Sequence, residues 1–408
     1  MKALILGGVA PHIELMEELK ERGYETILVD YLQNPPARKF ADKFYRESTL
    51  DKEKVLEIAK TEEVDLIITI CVDHANVTMC YVAEQLHLPC PYSYETAIMA
   101  TDKALMKQKM VEYGIPTADF KIVESVAQLD REWEFPLVVK PVDNNGSKGV
   151  KKVETRAMLE QAVVDAIQLS RAKRAVVESF NEGREIQVDC FANNKEAHVI
   201  MKREKLKIPN QKGLAMQSFG SLIPVQMSER VHEKIADISN RIVKAFQLEH
   251  TPFFFQAILS GEDIKVLELS PRIGGGLSYK LLKQYASFPI IPCIVDSYFG
   301  NIKDVNFGEG KGYMTTNILY GVNGTFDHVV GVEELLNKGI IDGFDQMAES
   351  GNELAGYMDS RNRIGAYYIS AASYEELMKK VAIAHDKIDV VDKTGKSIAR
   401  KDLYLKEQ

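Results

Sequence analysis

At 408 residues the chain is longer than one hydrophobic core can organise, and with 45% hydrophobic and 27% charged residues it reads as a folded protein of roughly two to four units. Fifty-one basic residues against 59 acidic ones leave a net charge of −8, which excludes a non-specific nucleic-acid binder but leaves room for local basic clusters around phosphates. Cys71, Cys80, Cys90, Cys190 and Cys293 show no CxxC or Cys/His spacing, so reduced thiols in a cytoplasm are expected rather than a disulfide frame or a zinc site. The apolar run in MKALILGGV is too short for a signal peptide and reads as a first strand. No apolar run approaches the ~20 residues of a membrane span, and Ala286 to Phe299 is broken by two prolines, so no membrane partner is expected.

Taken in order, Lys2 to Leu6 reads as a buried strand, Gly7-Gly8 as a turn, and Ile13, Met16 and Leu19 as the stripe of a helix that stops at Gly23. Thr26 to Val29 is the next strand and ends at Asp30, the outline of a dinucleotide fold. GGVAPH is not GxGxxG, so this unit reads as Rossmann-like, kept for packing or for gripping a substrate. A helix at Lys52 to Lys60 and a strand at Asp65 to Ile70 continue the alternation. CVDHANV then opens a helix from the C-terminal end of a strand, where open α/β sheets bind ligands. Asp73 and His74 are therefore candidate substrate contacts, with a plain N-cap the favoured reading of Asp73. Leu88, Pro89 and Pro91 close the unit.

From Ser93 a helical pattern carries Ile98, Leu105, Met106 and Met110 on one side and ends at Gly114, with Lys103 partway along it. FPLVVKPVDNNGSKGV, 135–150, is the central stretch: a short apolar strand delivers Lys140, and a loop with Gly146, Ser147 and Gly149 lets backbone N–H groups converge on an anion. The lysine precedes the glycines and no GK[ST] opens a helix, so this is not the Walker pattern. Either a hairpin turn or a triphosphate clasp fits the stretch taken alone. Ala175 to Val177 runs into Glu178-Ser179-Phe180, a linker able to offer backbone groups to a purine edge, while Glu185 is placed to accept from ribose hydroxyls; two strands joined by a polar turn is the plain alternative. Lys202 to Ser221, with Lys202, Arg203, Lys205, Lys207 and Lys212, reads as a long loop, a mobile lid or substrate-binding segment. Val231 to Phe246 is an amphipathic packing helix.

FFFQAILSGEDIKVLELSPRIGGG, 253–276, reads as a hairpin with Gln256 on its first strand and Glu268 and Ser270 two apart on its second, three oxygen-bearing side chains able to share a cleft. Oxygen donors of this kind suit Mg²⁺ shared with phosphate oxygens, and Arg272 follows as a fixed cation for a phosphoryl group or a substrate carboxylate. Gly274 to Gly276 allow close backbone approach. In the C-terminal stretch, Ser373-Tyr374-Glu375-Glu376 is a capping box, and Arg361 and Arg363, before a strand at Gly365 to Ile369, are placed to reach the active site, with two surface arginines the favoured reading.

The lysine of TDK, the VVK strand with its Gly/Ser loop, the ESF linker with a glutamate seven residues on, the metal hairpin and PR occur in the order of the ATP-grasp superfamily, which the whole chain resembles. The resemblance is to carboxylate-amine ligases related to carbamoyl-phosphate synthase and biotin carboxylase. It implies an α/β and α+β multidomain protein: a Rossmann-like pre-ATP-grasp domain (1–92), an ATP-grasp small lobe (93–178), a large lobe with the metal hairpin (179–300) and a small C-terminal α+β unit (301–408). It further implies Lys103 and Lys140 on the phosphates, Gly146, Ser147 and Gly149 as a lid over them, Glu178, Ser179 and Phe180 as the adenine linker, and Glu185 as the ribose ligand. Gln256, Glu268 and Ser270 match the metal positions, and Arg272 the arginine that steadies an acyl phosphate. Ser270 stands where many relatives carry Asn, and Gln256 where others carry an acid. The implied activity is ATP- and Mg²⁺-dependent (or Mn²⁺-dependent) joining of a small carboxylic acid to an amine in the cytoplasm, with a homodimer left open. A formate- or bicarbonate-activating enzyme of the purine-biosynthetic type, or a nucleotide-binding protein without turnover, are the alternatives.

Overall fold

The computed structural model describes residues 1–406 apart from 131, 209–216, 301, 303–309 and 355–361. Near-continuous apolar runs such as KALIL and ETILV have no face to offer water, and they form a parallel sheet in the order Lys43–Tyr45, Glu25–Val29, Lys2–Leu6, Leu66–Ile68. Its first turn is closed from within: Gly8 N–H donates to Asp30 Oδ2 at 2.7 Å and Leu32 N–H to Asp30 Oδ1 at 2.8 Å. The acid at the end of the second strand is thus spent on the chain's own backbone. The same core also takes in a later stretch, Ile273 to Tyr298, with Leu281, Leu282, Phe288 and Val295 buried in it and Arg22 paired with Asp296 at 2.5 Å.

The helical stretch after Ser93 is two helices, Tyr94–Thr101 and Lys103–Glu112, rather than one. Asp102 leaves helical geometry and its carboxylate accepts the N–H groups of Ala104 and Leu105 at 2.8 and 3.1 Å, so Lys103 opens a helix instead of lying along one. An antiparallel sheet follows in the order Phe120–Val123, Ala175–Ser179, Leu137–Pro141, Lys151–Val153, backed by the helix Arg156–Leu169, whose Leu159, Ala162, Val163 and Ala166 fill a small core.

Eight antiparallel strands make the largest sheet, in the order Asp263–Ser270, Thr251–Ser260, Arg184–Asn193, Glu196–Lys207, Ser218–Ile223, Tyr313–Tyr320, Arg363–Ala371, Gly343–Gln346. The helix Glu229–Phe246 lays Val231, Ile235, Ile238, Ile242 and Phe246 on its Ile186, Val188, Phe253 and Phe255. The described parts of the lysine-rich stretch read as a loop from Lys202 to Ser221 are largely strand, with Lys205 directly opposite Ser221 across the ladder. Its alternation is hidden because the face that carries Arg203, Lys205 and Lys207 borders a charged cavity instead of an apolar core. Lys212 lies outside the described residues. Of the described C-terminal strands, Tyr313–Tyr320, Arg363–Ala371 and Gly343–Gln346 extend the same sheet while the others pair in two small two-stranded sheets, and the helix Tyr374–Lys387 packs on the large sheet's extension. That helix begins at Ser373, whose hydroxyl accepts Glu376 N–H at 3.2 Å while Glu376 Oε2 accepts Ala372 N–H at 3.1 Å. Among the described residues no helix is long and apolar enough to cross a membrane.

Candidate functional site

A cavity of about 430 Å³ is lined both from the small antiparallel sheet and its glycine loop and from one face of the eight-stranded sheet. Lys103, Lys140, Gly146 and Ser147 border it, as do Glu178, Ser179, Phe180 and Glu185. So do Gln256, Glu268, Ser270 and Arg272. Gly149 does not. It takes a φ of +81°, and a Cβ there would lie 2.9 Å from side-chain atoms of Pro141 and Leu169, so its work is in the turn itself. Gly149→Ala is expected to cost about 1–3 kcal/mol in a denaturant titration, from strained backbone and crowding together.

Lys140 stands near the end of the strand Leu137–Pro141 with Nζ 2.6 Å from Glu178 Oε1, and Lys107 Nζ lies 2.7 Å from the other carboxylate oxygen. The side chains of Lys140, Lys107 and Glu178 are only 8, 1 and 3% exposed. Burial alone would raise the Glu178 pKa; the charges of Lys140 and Lys107 outweigh it and bring it down to about 2. Burial pushes the Lys107 ammonium down, against the pull of Glu178. Glu178, read as a backbone linker, is thus also a buried counter-ion. Lys107 was not among the candidates, yet it lies one helical turn after Lys103 in TDKALMK, on the same face.

Lys103 is locked to the turn after the strand Leu137–Pro141 at two points: its N–H donates to Val142 O at 2.8 Å and its Nζ to Asn144 O at 2.6 Å. The ammonium also lies 3.8 Å from Glu268. In the loop after Asn144, Gly146 and Ser147 both take left-handed backbone, φ +63° and +60°, which turns successive peptide groups toward the cavity side. Glu185 is ion-paired with Lys207. In the hairpin Gln256 faces Glu268 across the ladder, and Ser270 follows two residues later.

Asp73 is not the cap of its helix; that position is held by Val72. The Asp73 carboxylate instead crosses to Arg272, 2.5 Å from both Nε and Nη2, and accepts the Ser270 hydroxyl at 2.8 Å. A guanidinium opposite it outcompetes the backbone amides of its own helix. His74 sits at the side, 3.1 Å from Arg171. Arg363, read as a surface residue, borders the cavity and donates to Tyr320 Oη at 3.1 Å and Gln217 Oε1 at 2.8 Å; Arg361 lies outside the described residues. Lys205 also borders it, its pKa pushed down to about 8 by burial and by the nearby charge of Arg203. Lys205 belongs to the stretch read as a substrate-binding segment, and Arg363 takes the place that its surface reading passed over.

Gln256, Glu268 and Ser270 supply an amide, a carboxylate and a hydroxyl oxygen. Among the described residues no group of three His, Cys, Asp or Glu forms a metal cage. A set with one carboxylate fits a hard cation that arrives with phosphate oxygens of its own, as Mg²⁺ does.

Residues 101–276, from just before Lys103 to the last glycine of PRIGGG, match the phosphoribosylglycinamide synthetase ATP-grasp (A) domain family. That stretch, somewhat under half of the chain, is similar to an ATP-grasp domain. The chain is 24% identical over 317 residues to the carbamoyl phosphate synthase large chain of Clostridium acetobutylicum, covering 74% of this chain but only 28% of that one. It is 25% identical over 279 residues to the formate-dependent phosphoribosylglycinamide formyltransferase of Shewanella frigidimarina, covering 67% of this chain and 68% of that one. The crystal structure of an L-amino acid ligase from Bacillus licheniformis superposes with a TM-score of 0.83 at 21% identity, over 96% of this chain and 98% of that one. The likeness in fold to that ligase therefore extends over nearly the whole length, well past the matched domain.

Proposed function

We propose that the chain is an ATP-dependent ligase that activates a small carboxylic acid, such as an amino acid, as an acyl phosphate and joins it to an amine, releasing ADP and phosphate. The convergence of both lysines, the linker, the metal hairpin and Arg272 on one cavity carries this reading. Seven lysine and arginine side chains border that cavity against four aspartates and glutamates, an excess suited to a triphosphate and a carboxylate bound together. On this reading residues 93–178 and 179–300 are the lobes that enclose the nucleotide, beside the Rossmann-like unit 1–92 and the C-terminal unit 301–408. The enzyme works in the cytoplasm on small molecules.

The Glu178–Phe180 backbone receives the adenine and Glu185 the ribose. Lys103, Lys140 and the amides of Gly146 and Ser147 hold phosphate oxygens. Gln256, Glu268 and Ser270 would hold Mg²⁺, or Mn²⁺ with its similar taste for oxygen, and the ion supplies neutralisation of phosphate charge. A carboxylate oxygen of the acid bonds to the γ-phosphorus as the bond to the bridging oxygen breaks, and ADP leaves with that electron pair. The amine nitrogen then bonds to the acyl carbon, the carbon–oxygen bond to phosphate breaks, and the nitrogen gives up a proton to solvent. Arg272 steadies the charge on the acyl phosphate. No side-chain nucleophile takes part, because phosphoryl transfer is served by positioning and fixed charge.

ADP release measured over pairs of amino acids, with the product weighed by mass spectrometry, tests this. The expected result is ADP only when acid and amine are both present, with a product of their combined mass less one water. Activity with formate or bicarbonate instead supports the purine-type alternative, which the likeness to a formate-dependent formyltransferase favours. Nucleotide binding with no ADP under any pairing leaves a binding protein and sinks both enzyme readings.

A further inference from the structure

Asp73 opens the helix Asp73–Leu86 that follows the last strand of the N-terminal sheet, lines the cavity from outside the matched domain, and touches two residues at the end of the metal hairpin. The Ser270 hydroxyl has a single proton and donates it to Asp73 Oδ1 at 2.8 Å, which leaves that oxygen only its lone pairs to present elsewhere. An acceptor-only oxygen is what a divalent cation takes. The hairpin offers the cavity one carboxylate, Glu268, beside the neutral Gln256, so Asp73 adds a negative charge directly behind Ser270. On its other side Asp73 fixes Arg272 through Nε and Nη2, while Nη1 donates to Ile273 O at 2.6 Å and the guanidinium lies 5.1 Å from the centre of the Phe254 ring. Three of the five guanidinium N–H groups are thus committed, and the plane is set.

We infer that Asp73 is a positioning residue that makes Ser270 a metal-facing acceptor and aims Arg272, so that the N-terminal unit completes the metal end of the site. This rests on the ligase reading above. It explains how a serine can stand at a position where an amide oxygen would serve: the shorter side chain is oriented and charged from behind by a partner at the start of a helix in the N-terminal unit.

The test is Mn²⁺ binding to the full chain with saturating ADP, followed by electron paramagnetic resonance, alongside kcat and KM. Asp73→Ala is expected to weaken Mn²⁺ affinity about 10- to 100-fold, the usual effect of removing a partner that orients a metal ligand. Asp73→Asn, which retains an acceptor for Ser270 but loses the charge, is expected to fall in between, and carries the test if the alanine variant does not fold. Ser270→Ala alone should match the alanine effect, and adding it to Asp73→Ala should cost little more, since the two act as one unit. Losses in Mn²⁺ affinity that multiply in the double variant overturn the inference. So does wild-type Mn²⁺ affinity in both folded Asp73 variants. Failure of the unaltered chain to bind Mn²⁺ with ADP overturns the ligase reading and this inference together, whereas normal binding that ignores residue 73 overturns this inference alone.

Discussion

Lys140→Ala is expected to lower the rate of ADP formation on the order of a hundred- to a thousandfold, the scale seen when one preorganised charge donor is removed from a reacting group. The ammonium sits at the strand end beside the glycine loop, held at 2.6 Å by Glu178, so its position is set before any ligand arrives. That preorganisation is why the loss should fall on turnover more than on folding. Glu178 retains Lys107 as counter-ion in the variant. Single-turnover ADP release and a thermal melt, run side by side, check both halves. A variant with near-normal turnover removes Lys140 from the phosphate-binding role. Glu268→Ala is expected to show a comparable loss, since it deletes the hairpin's one carboxylate on the cavity.

Glu178→Gln should act in the opposite sense, on stability first. It leaves two nearly inaccessible ammonium groups facing a neutral amide, and breaking a buried ion pair in this way costs about 3–5 kcal/mol. The pH dependence follows from the depressed pKa. A carboxylate titrating at about 2 in the folded chain contributes stability that is fully present above its ordinary unfolded value, and that is lost as pH falls from there through about 2. Denaturation profiles between pH 5 and pH 2 are therefore expected to be steeper for the unaltered chain than for the glutamine variant. Equal slopes would mean that the carboxylate is not held between the two lysines.

Most of the strands and helices were legible because their apolar periodicity answers to a local core: KALIL in the parallel sheet, Val231 to Phe246 on the large sheet, and the capping box at Ser373. The site was legible where a motif kept its parts close in sequence, as with Lys140 and its loop or Gln256 with Glu268. What escaped depended on partners distant in sequence. Asp73 reads as a cap until Arg272, almost 200 positions away, is seen beside it. Arg363 reads as surface until Gln217 and Tyr320 draw it inward. The stretch from Lys202 to Lys207 lacks apolar alternation because its inward face meets charge, and an inward-facing polar strand has the composition of a loop. The break at Asp102 was missed because apolar spacing runs straight through it, and only the cap tells two helices from one.

The way the last hundred residues join the large sheet limits how the chain can be shortened. Ser218–Ile223 is sealed by Tyr313–Tyr320, which is sealed in turn by Arg363–Ala371. A truncation after residue 300 would strip that cover and leave a row of unsatisfied peptide groups along a bare margin, a template for other copies to add to. The expected product is insoluble aggregate instead of a smaller working enzyme.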